Sequence, residues 1–213
     1  MKLTRRHLTL AAGMMTAVAL TAGALIASTA QAAPATGSAA PAFTGATAAG
    51  SEISLSDFAG KTVVLEWTND GCPFVQKHYA TPPANMQSLQ KSAAANDVVW
   101  ISLISSAPGK QGHADAARAK ELTTSRGAAP AHVVLDESGE IGRLYGAKTT
   151  PHMFIITPGG ELVYDGAIDS KASSKVADIA GATNYVTAAL ADLEAGKPVA
   201  TPVTKPYGCS VKY

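Results

Sequence analysis

Short apolar and β-branched runs alternate along the chain with polar segments that contain Gly and Pro, a pattern typical of strands and helices in turn. Residues 62–67 form a continuous apolar run that only Glu66 interrupts, which predicts a strand buried on both faces. Residues 97–105 and 131–136 predict two further strands. The segment "HMFIITPGGELVYDGAID" predicts a hairpin around Pro158-Gly159-Gly160.

Helices are predicted between these strands. One begins at Pro73 and extends to about residue 90, with Pro82 and Pro83 interrupting it. Others are predicted in an Ala-rich stretch that ends near Gly127, in "ESGEIGRLYG", and in "NYVTAALADLEAG", which Gly196 ends. Strands that alternate with helices, followed by a hairpin and a final helix, predict an α/β fold: a three-layer sandwich around a mixed sheet.

Composition suits one globular domain, because 46% of the 213 residues are hydrophobic and 15% are charged. The formal net charge of +1 gives no electrostatic reason to expect a nucleic-acid partner. We predict a folded domain over residues 42–197 and an extended tail over residues 198–213. The tail contains three prolines and Cys209.

The first 32 residues are typical of an export signal. "MKLTRRHLTL" supplies a basic start, an interrupted apolar core follows, and Ala30 and Ala32 provide small residues for cleavage. The pair Arg5-Arg6 favours a twin-arginine route, with an ordinary secretory signal as the alternative. We therefore expect a periplasmic or secreted protein without a membrane span after cleavage. Residues 33–41 would form a flexible leader.

Cys72 follows the first buried strand directly and precedes Pro73, which suits the first position of a helix. Unpaired N–H groups at a helix start stabilise an anion, so a thiolate is favoured there. Cys209 is the second cysteine of two, and an oxidising compartment lets a disulfide between them persist. Such a bond closes a loop of about 140 residues, which is worth about 5 kcal/mol as a permanent staple. A reactive pair and a structural disulfide therefore both remain open.

Three segments carry a resemblance to a known family: "GCPFVQKHY", "TTPHMFII" and "PYGCSVKY". Together they resemble the thioredoxin-fold redoxins of the AhpC/TSA group, peroxiredoxin-like members above all, over about residues 41–213. The resemblance implies a thioredoxin-like sandwich in which Cys72 holds the reactive position. It also implies that Thr150-Pro151 is a cis peptide facing the sulfur.

The family's local dithiol motif is incomplete in this chain. The first cysteine of a Cys-x-x-Cys-Pro motif would fall on Asn69, and the other register places Val75 at the partner position. Peroxiredoxins also use a Thr or Ser three residues before the cysteine and an Arg before a later strand. Asn69 and Pro151 stand at those positions, which weakens the peroxidase interpretation.

Several neighbours of Cys72 are candidates for supporting roles. Glu66 could shuttle the thiol proton, or it could lie at the sheet edge and pair with a lysine. Gln76, four residues after Cys72, should share its helical face. We expect Lys77 to be solvated and His78 to lie on the helix surface or pack against it.

His152 could reach the sulfur or be buried by strand alternation, and we expect Trp67 in the core. The spacing of the cysteines and histidines matches no metal-binding motif, so we expect neither a metal nor another cofactor.

The sequence thus predicts an exported thiol–disulfide redox protein. Cys72 would attack a protein disulfide or a sulfenic acid, Cys209 would resolve the mixed species, and an external dithiol would restore both thiols. One alternative is a thiol peroxidase that reduces hydroperoxides. The other is a non-catalytic binding protein in which a Cys72–Cys209 disulfide is structural.

Overall fold

The computed structural model describes residues 33–213, so the predicted export signal lies outside the described residues. Nine strands and five α-helices are described there. The strands are β1 (Thr44–Ala46), β2 (Glu52–Ser54), β3 (Val63–Trp67), β4 (Val99–Ile104), β5 (His132–Leu135), β6 (Thr149–Thr150), β7 (His152–Ile156), β8 (Leu162–Gly166) and β9 (Cys209–Ser210). The helices are α1 (Pro73–Tyr79), α2 (Asn85–Ala95), α3 (Ala116–Ser125), α4 (Glu140–Tyr145) and α5 (Tyr185–Glu194), with 3₁₀ turns at Leu55–Phe58 and Val176–Ile179.

The central sheet has the strand order β5-β4-β3-β7-β8. Strands β3, β4 and β5 are parallel, whereas β7 is antiparallel to both β3 and β8. Parallel neighbours need helical crossovers, while the antiparallel pair needs only a hairpin, and the chain supplies each in the predicted place. The predicted α/β sandwich with a mixed sheet is confirmed.

Strand β3 lies at the centre of the sheet and is buried along its whole length. Successive side chains point to opposite faces, so Leu65 and Trp67 enter one apolar core and Val64 enters the other. Trp67 is fully buried, as expected, and its indole N–H donates to the hydroxyl of Ser105 at 2.9 Å. Both faces therefore need cover from other layers.

The predicted flexible leader is wrong for residues 37–40. The N–H of Gly37 donates to Leu162 O at 2.8 Å, Leu162 N–H donates to Ser38 O at 2.9 Å, and Ala40 N–H donates to Gly160 O at 2.8 Å. Strand β8 lies at the sheet edge, where unpaired backbone groups need partners. This segment supplies partners for them and is held against the β7–β8 hairpin.

The C-terminal tail runs extended along the surface, as the prolines predict. It first follows β8, where Asp165 N–H donates to Pro202 O at 3.0 Å and Thr204 N–H donates to Asp165 O at 3.1 Å. It then pairs through β9 with β6. No helix within residues 33–213 has the length and apolar character needed to cross a bilayer.

Candidate functional site

Cys72 lies between β3 and α1, as predicted, and Pro73 is the first residue of the helix. The loop before it is held by Asn69, whose Oδ1 accepts from Gly71 N–H at 2.9 Å and whose Nδ2 donates to Gln111 O at 3.0 Å. The N–H of Cys72 donates to Asn69 O at 3.2 Å. Asn69 thus shapes the loop that presents the thiol.

The tail brings Cys209 to Cys72. In the β6–β9 ladder Cys209 pairs with Thr150, and the thiol of Cys209 lies within hydrogen-bonding reach of the Cys72 sulfur. The Cys72 thiol itself donates to the carbonyl of Thr150 at 3.0 Å. The peptide Thr150-Pro151 is cis, as the resemblance implied. Two cysteines far apart in sequence are therefore neighbours in the folded chain.

A glycine makes this approach possible. Gly208 has a φ of +136°, and a Cβ built on it would lie 2.0 Å from the carbonyl oxygen of Thr150. Side chains other than hydrogen do not fit at such a distance, and the φ value is itself one that favours glycine. The tail backbone can therefore touch the cis-proline loop only with glycine next to Cys209.

The two thiols differ in acidity. Burial opposes ionisation of Cys72, but hydrogen bonds from the Cys209 thiol and from the N–H groups of Cys209 and Val75, together with the nearby Thr150 hydroxyl, lower its pKa below the ordinary value. The hydroxyl of Thr150 is buried and has no hydrogen-bond partner among the described residues. It is free to donate to a Cys72 thiolate.

Cys209 shows the opposite shift. Burial, together with its hydrogen bond to Cys72 and the negative charge that Cys72 would carry, raises the pKa of Cys209 to about 11, an effect that Lys212 opposes. The Cys72–Cys209 pair therefore loses its first proton from Cys72, and Cys209 stabilises the resulting thiolate as a donor.

Cys72 and Cys209 also differ in solvent exposure, and the more acidic thiol is the less exposed one. Cys72 has 0% of its surface exposed, whereas Cys209 is half-buried. The more acidic sulfur is covered, and the less acidic one lies nearer the surface.

Glu66 does not contact the sulfur. It is fully buried, and its carboxylate accepts hydrogen bonds from the side chains of four residues: Tyr79 at 2.8 Å, Trp100 at 2.8 Å, Ser102 at 2.9 Å and Gln90 at 3.2 Å. Neither predicted role matches this geometry, because the carboxylate bonds to neither the thiol nor a lysine. Glu66 instead joins α1, α2 and β4 across one face of the sheet.

Gln76 also turns away from Cys72. Its side chain is exposed and its Nε2 donates to Asp70 O at 2.9 Å, so it braces the loop before the cysteine. The helical spacing correctly places Gln76 near Cys72 along α1, but the amide contacts backbone rather than sulfur.

The prediction for Lys77 is wrong, and His78 is more deeply enclosed than expected. Both side chains are fully buried, and Lys77 Nζ lies 3.2 Å from Asp169 Oδ2. Burial, with Lys77 nearby, lowers the pKa of His78 to about 4, although Asp169 opposes the shift. A surface position was expected because the sequence does not show that the tail covers this side of α1.

His152 is buried as well, the second of the two possibilities. Its Nε2 lies 2.7 Å from Asp165 Oδ1, and its Nδ1 accepts from Lys148 N–H at 3.2 Å, so both ring nitrogens have partners other than Cys72. In the described part of the chain no three His, Cys, Asp or Glu side chains are grouped to hold a metal ion.

Asp169 and Tyr207 contribute to this region but were missed by the sequence reasoning. Tyr207 lies two residues before Cys209 in "PYGCSVKY", and its hydroxyl donates to Asp169 Oδ1. An aromatic residue in an otherwise aperiodic, proline-containing tail was the available signal that this segment is anchored.

Comparison with known proteins identifies a family that covers the fold around Cys72 but ends before Cys209. A family model described as AhpC/TSA family matches residues 36–165. A search of curated protein sequences gives no match.

Solved structures share the fold. A hypothetical protein from Sinorhizobium meliloti 1021 has a TM-score of 0.71 and 21% identity over 85% of this chain and 96% of its own. An uncharacterized conserved protein from Geobacillus kaustophilus has a TM-score of 0.68 and 22% identity over 84% and 92%. The thioredoxin domain of a thiol-disulfide oxidoreductase from Bacteroides vulgatus has a TM-score of 0.50 and 20% identity over 70% and 98%. The predicted thioredoxin-like fold is confirmed.

Proposed function

Because the chain belongs to the AhpC/TSA family, we propose that it is an exported thiol–disulfide redox protein whose working couple is Cys72 and Cys209. The observation that carries this proposal is the meeting of the two cysteines at the start of α1, where the pKa of Cys72 is lowered and the pKa of Cys209 is raised. A pair with split acidity has one thiol suited to attack or depart and one suited to accept the proton.

Reduction of the oxidised protein would proceed by two exchanges. A thiolate of an external dithiol attacks the sulfur of Cys209, the better exposed of the two, and the Cys72–Cys209 bond breaks with Cys72 leaving as a thiolate. The second donor thiolate then attacks the donor sulfur of this mixed disulfide, and Cys209 departs and takes up a proton. Two electrons pass from the donor, which becomes a disulfide, to the protein.

Cys72 is supported as the departing group because a thiol of lower pKa leaves faster. The expectation that reduced Cys72 itself attacks a substrate disulfide stays a prediction. It requires the tail to move, since the sulfur has no exposed surface in the described state.

Export belongs to the proposal too, and it rests on the character of residues 1–32, which lie outside the described residues. The basic start, the apolar core and the small residues near Ala32 support delivery to an oxidising compartment, where a disulfide can persist. Cell fractionation of the full chain, with N-terminal sequencing of the product, tests this part. A full-length product confined to the cytoplasm would contradict it.

The test of the redox function follows the cross-link directly. The oxidised chain is mixed with excess reduced glutathione at neutral pH, quenched with N-ethylmaleimide at intervals, and mapped by peptide mass spectrometry. We expect the Cys72–Cys209 cross-link to disappear and a transient glutathione adduct to appear on Cys209. The Cys72→Ser and Cys209→Ser variants should form no internal cross-link.

Two results would replace the proposal by the alternatives. A cross-link that survives millimolar glutathione would indicate a structural disulfide in a binding protein. Turnover of hydrogen peroxide by the wild-type chain that is lost in Cys72→Ser would indicate a hydroperoxide reductase, despite Asn69 and Pro151 at the positions where peroxiredoxins polarise their substrate.

A further inference from the structure

A buried polar cluster lies beside the cysteine pair. It consists of Lys77 and His78 from α1, Asp169 from the segment after β8, and Tyr207 from the tail, and we call these four residues the buried clasp. The side chains of Lys77 and His78 are fully buried, Asp169 is 2% exposed, and Tyr207 is half-buried. Such a group of charged and polar side chains is costly to bury unless its hydrogen bonds are satisfied.

The hydrogen bonds of the clasp form a directed chain. The amide of Asn85 donates to His78 Nδ1 at 2.8 Å, so a neutral imidazole carries its proton on Nε2. That Nε2–H donates to the Tyr207 hydroxyl at 3.2 Å, and the hydroxyl in turn donates to Asp169 Oδ1. Burial is the main cause of the lowered pKa of His78, which keeps the imidazole neutral and so fixes the direction of these hydrogen bonds.

Lys77 completes the cluster from the other side. Its Nζ contacts Asp169 Oδ2 at 3.2 Å, Lys171 O at 3.0 Å and the Tyr207 hydroxyl at 3.5 Å. The ammonium also lies 5.5 Å from the centre of the Tyr207 ring. Lys77, His78 and Asp169 thus all contact Tyr207, which is the one residue that the tail contributes to the clasp.

The clasp connects the two segments that carry the cysteines. Lys77 and His78 belong to the seven-residue helix that begins immediately after Cys72, and Tyr207 precedes Cys209 by two residues. The ring of Phe74, also in α1, packs edge-on against Tyr207 with 5.9 Å between ring centres. Gly208 lies between Tyr207 and Cys209, and a glycine backbone by itself resists bending only weakly. The anchor at Tyr207 therefore adds to the β6–β9 ladder and restrains Cys209 from the N-terminal side of this glycine.

We propose that the buried clasp positions Cys209: by holding Tyr207 against α1, it sets the effective concentration of the Cys209 thiol at Cys72. This inference rests on the proposed function, because it concerns the same redox pair. Tyr207 is a positioning residue in this account, since its hydroxyl contacts Asp169, His78 and Lys77 rather than either sulfur. A polar clasp suits this task because its directed bonds allow one register of the tail, whereas apolar packing tolerates sliding.

The test is the equilibrium of the reduced chain with oxidised glutathione. One glutathione disulfide takes two electrons from Cys72 and Cys209, the protein disulfide forms, and the two protons pass to two glutathione thiols. The equilibrium constant has units of concentration and measures how well the two thiols are held together. We expect Tyr207→Phe to lower it about tenfold, since a charge-assisted hydrogen bond is lost.

The matched control is Tyr145→Phe. Tyr145 is fully buried in the other core, and its hydroxyl donates to Pro41 O at 2.7 Å, so the same atom is removed at a site outside the buried clasp. This variant should keep the wild-type equilibrium constant even where its melting temperature falls. Asp169→Asn weakens the same bond from the acceptor side and also removes the counter-charge of Lys77, so its equilibrium constant should fall at least as far as that of Tyr207→Phe.

The outcomes are separable. A Tyr207→Phe chain that melts earlier but keeps the wild-type equilibrium constant, with Asp169→Asn doing the same, would overturn the positioning role and leave the redox function standing. A wild-type chain that forms no Cys72–Cys209 disulfide with glutathione would overturn the proposed function, and the inference with it. If Tyr207→Phe does not fold, the equilibrium constant of Asp169→Asn decides the inference alone.

Discussion

Gly208→Ala should separate the two cysteines without touching either of them. The added Cβ would lie 2.0 Å from Thr150 O, whereas ordinary van der Waals contact begins at 3.4 Å. The obstacle is backbone, so no side-chain rotation relieves it. The tail must therefore move away from β6 by about 1.4 Å, the difference between these two distances, which breaks the ladder between Cys209 and Thr150.

The magnitude follows from two costs that oppose bringing Cys209 to Cys72 in the variant. A non-glycine residue in such a backbone conformation costs about 1–3 kcal/mol. Loss of a ladder hydrogen bond costs about 1 kcal/mol more. A combined cost of at least about 2 kcal/mol corresponds to about a 30-fold change in an equilibrium constant. We expect the equilibrium constant for Cys72–Cys209 disulfide formation with glutathione to fall by that factor or more.

Gly50→Ala is the matched control for this variant. Gly50 has a φ of +94° in the turn between β1 and β2, and a Cβ there meets nothing within 4 Å. It carries a similar conformational cost without the collision, so its unfolding free energy should fall while its disulfide equilibrium stays at the wild-type value. A folded Gly208→Ala chain whose equilibrium constant lies within about twofold of wild type would refute the role assigned to the tail.

Three further results are expected. Thr150→Val removes the unpartnered hydroxyl beside Cys72, so in a Cys209→Ser background the ultraviolet absorbance of the Cys72 thiolate should titrate at higher pH. Thr150→Ser should restore the wild-type titration, and an unshifted titration in Thr150→Val would show that the hydroxyl does not stabilise the thiolate. Glu66→Gln should lower the unfolding free energy in urea by about 2–4 kcal/mol and leave that titration unchanged, whereas a shifted titration would revive the proton shuttle. The lowered pKa of His78 contributes stability that is complete above about pH 6.5 and is lost as the pH falls toward 4. The urea midpoint of His78→Gln should therefore fall less steeply over this range than the wild-type midpoint. Equal slopes for the two chains would contradict the burial of His78 as a neutral imidazole.

Local pattern carries most of the architecture in this protein. The apolar run at residues 62–67 and the turn at Pro158-Gly159-Gly160 each act through neighbours in sequence, so strand β3 and the β7–β8 hairpin could be predicted. The position of Cys72 before Pro73 is local in the same sense. The position of this thiol could therefore be predicted although the sequence lacks the second cysteine of a local dithiol motif.

The environment of the thiol depends on contacts between distant segments, and these could not be predicted. Lys77 has the polarity of a surface residue, and its burial is stabilised by Asp169, Lys171 and Tyr207, which lie about 90 to 130 residues away in the sequence. The same holds for Glu66, whose four donors come from α1, α2 and β4. Leader residues 37–40 were expected to be flexible because their partners belong to strand β8, far along the chain.

The central claim concerns a working couple, and its reduction potential tests it most directly. The chain is equilibrated in glutathione buffers of graded ratio, alkylated, and scored for the Cys72–Cys209 cross-link by mass spectrometry. We expect a potential above about −250 mV, within reach of thiol donors. A value below about −300 mV, the range of permanent structural disulfides, would contradict the account.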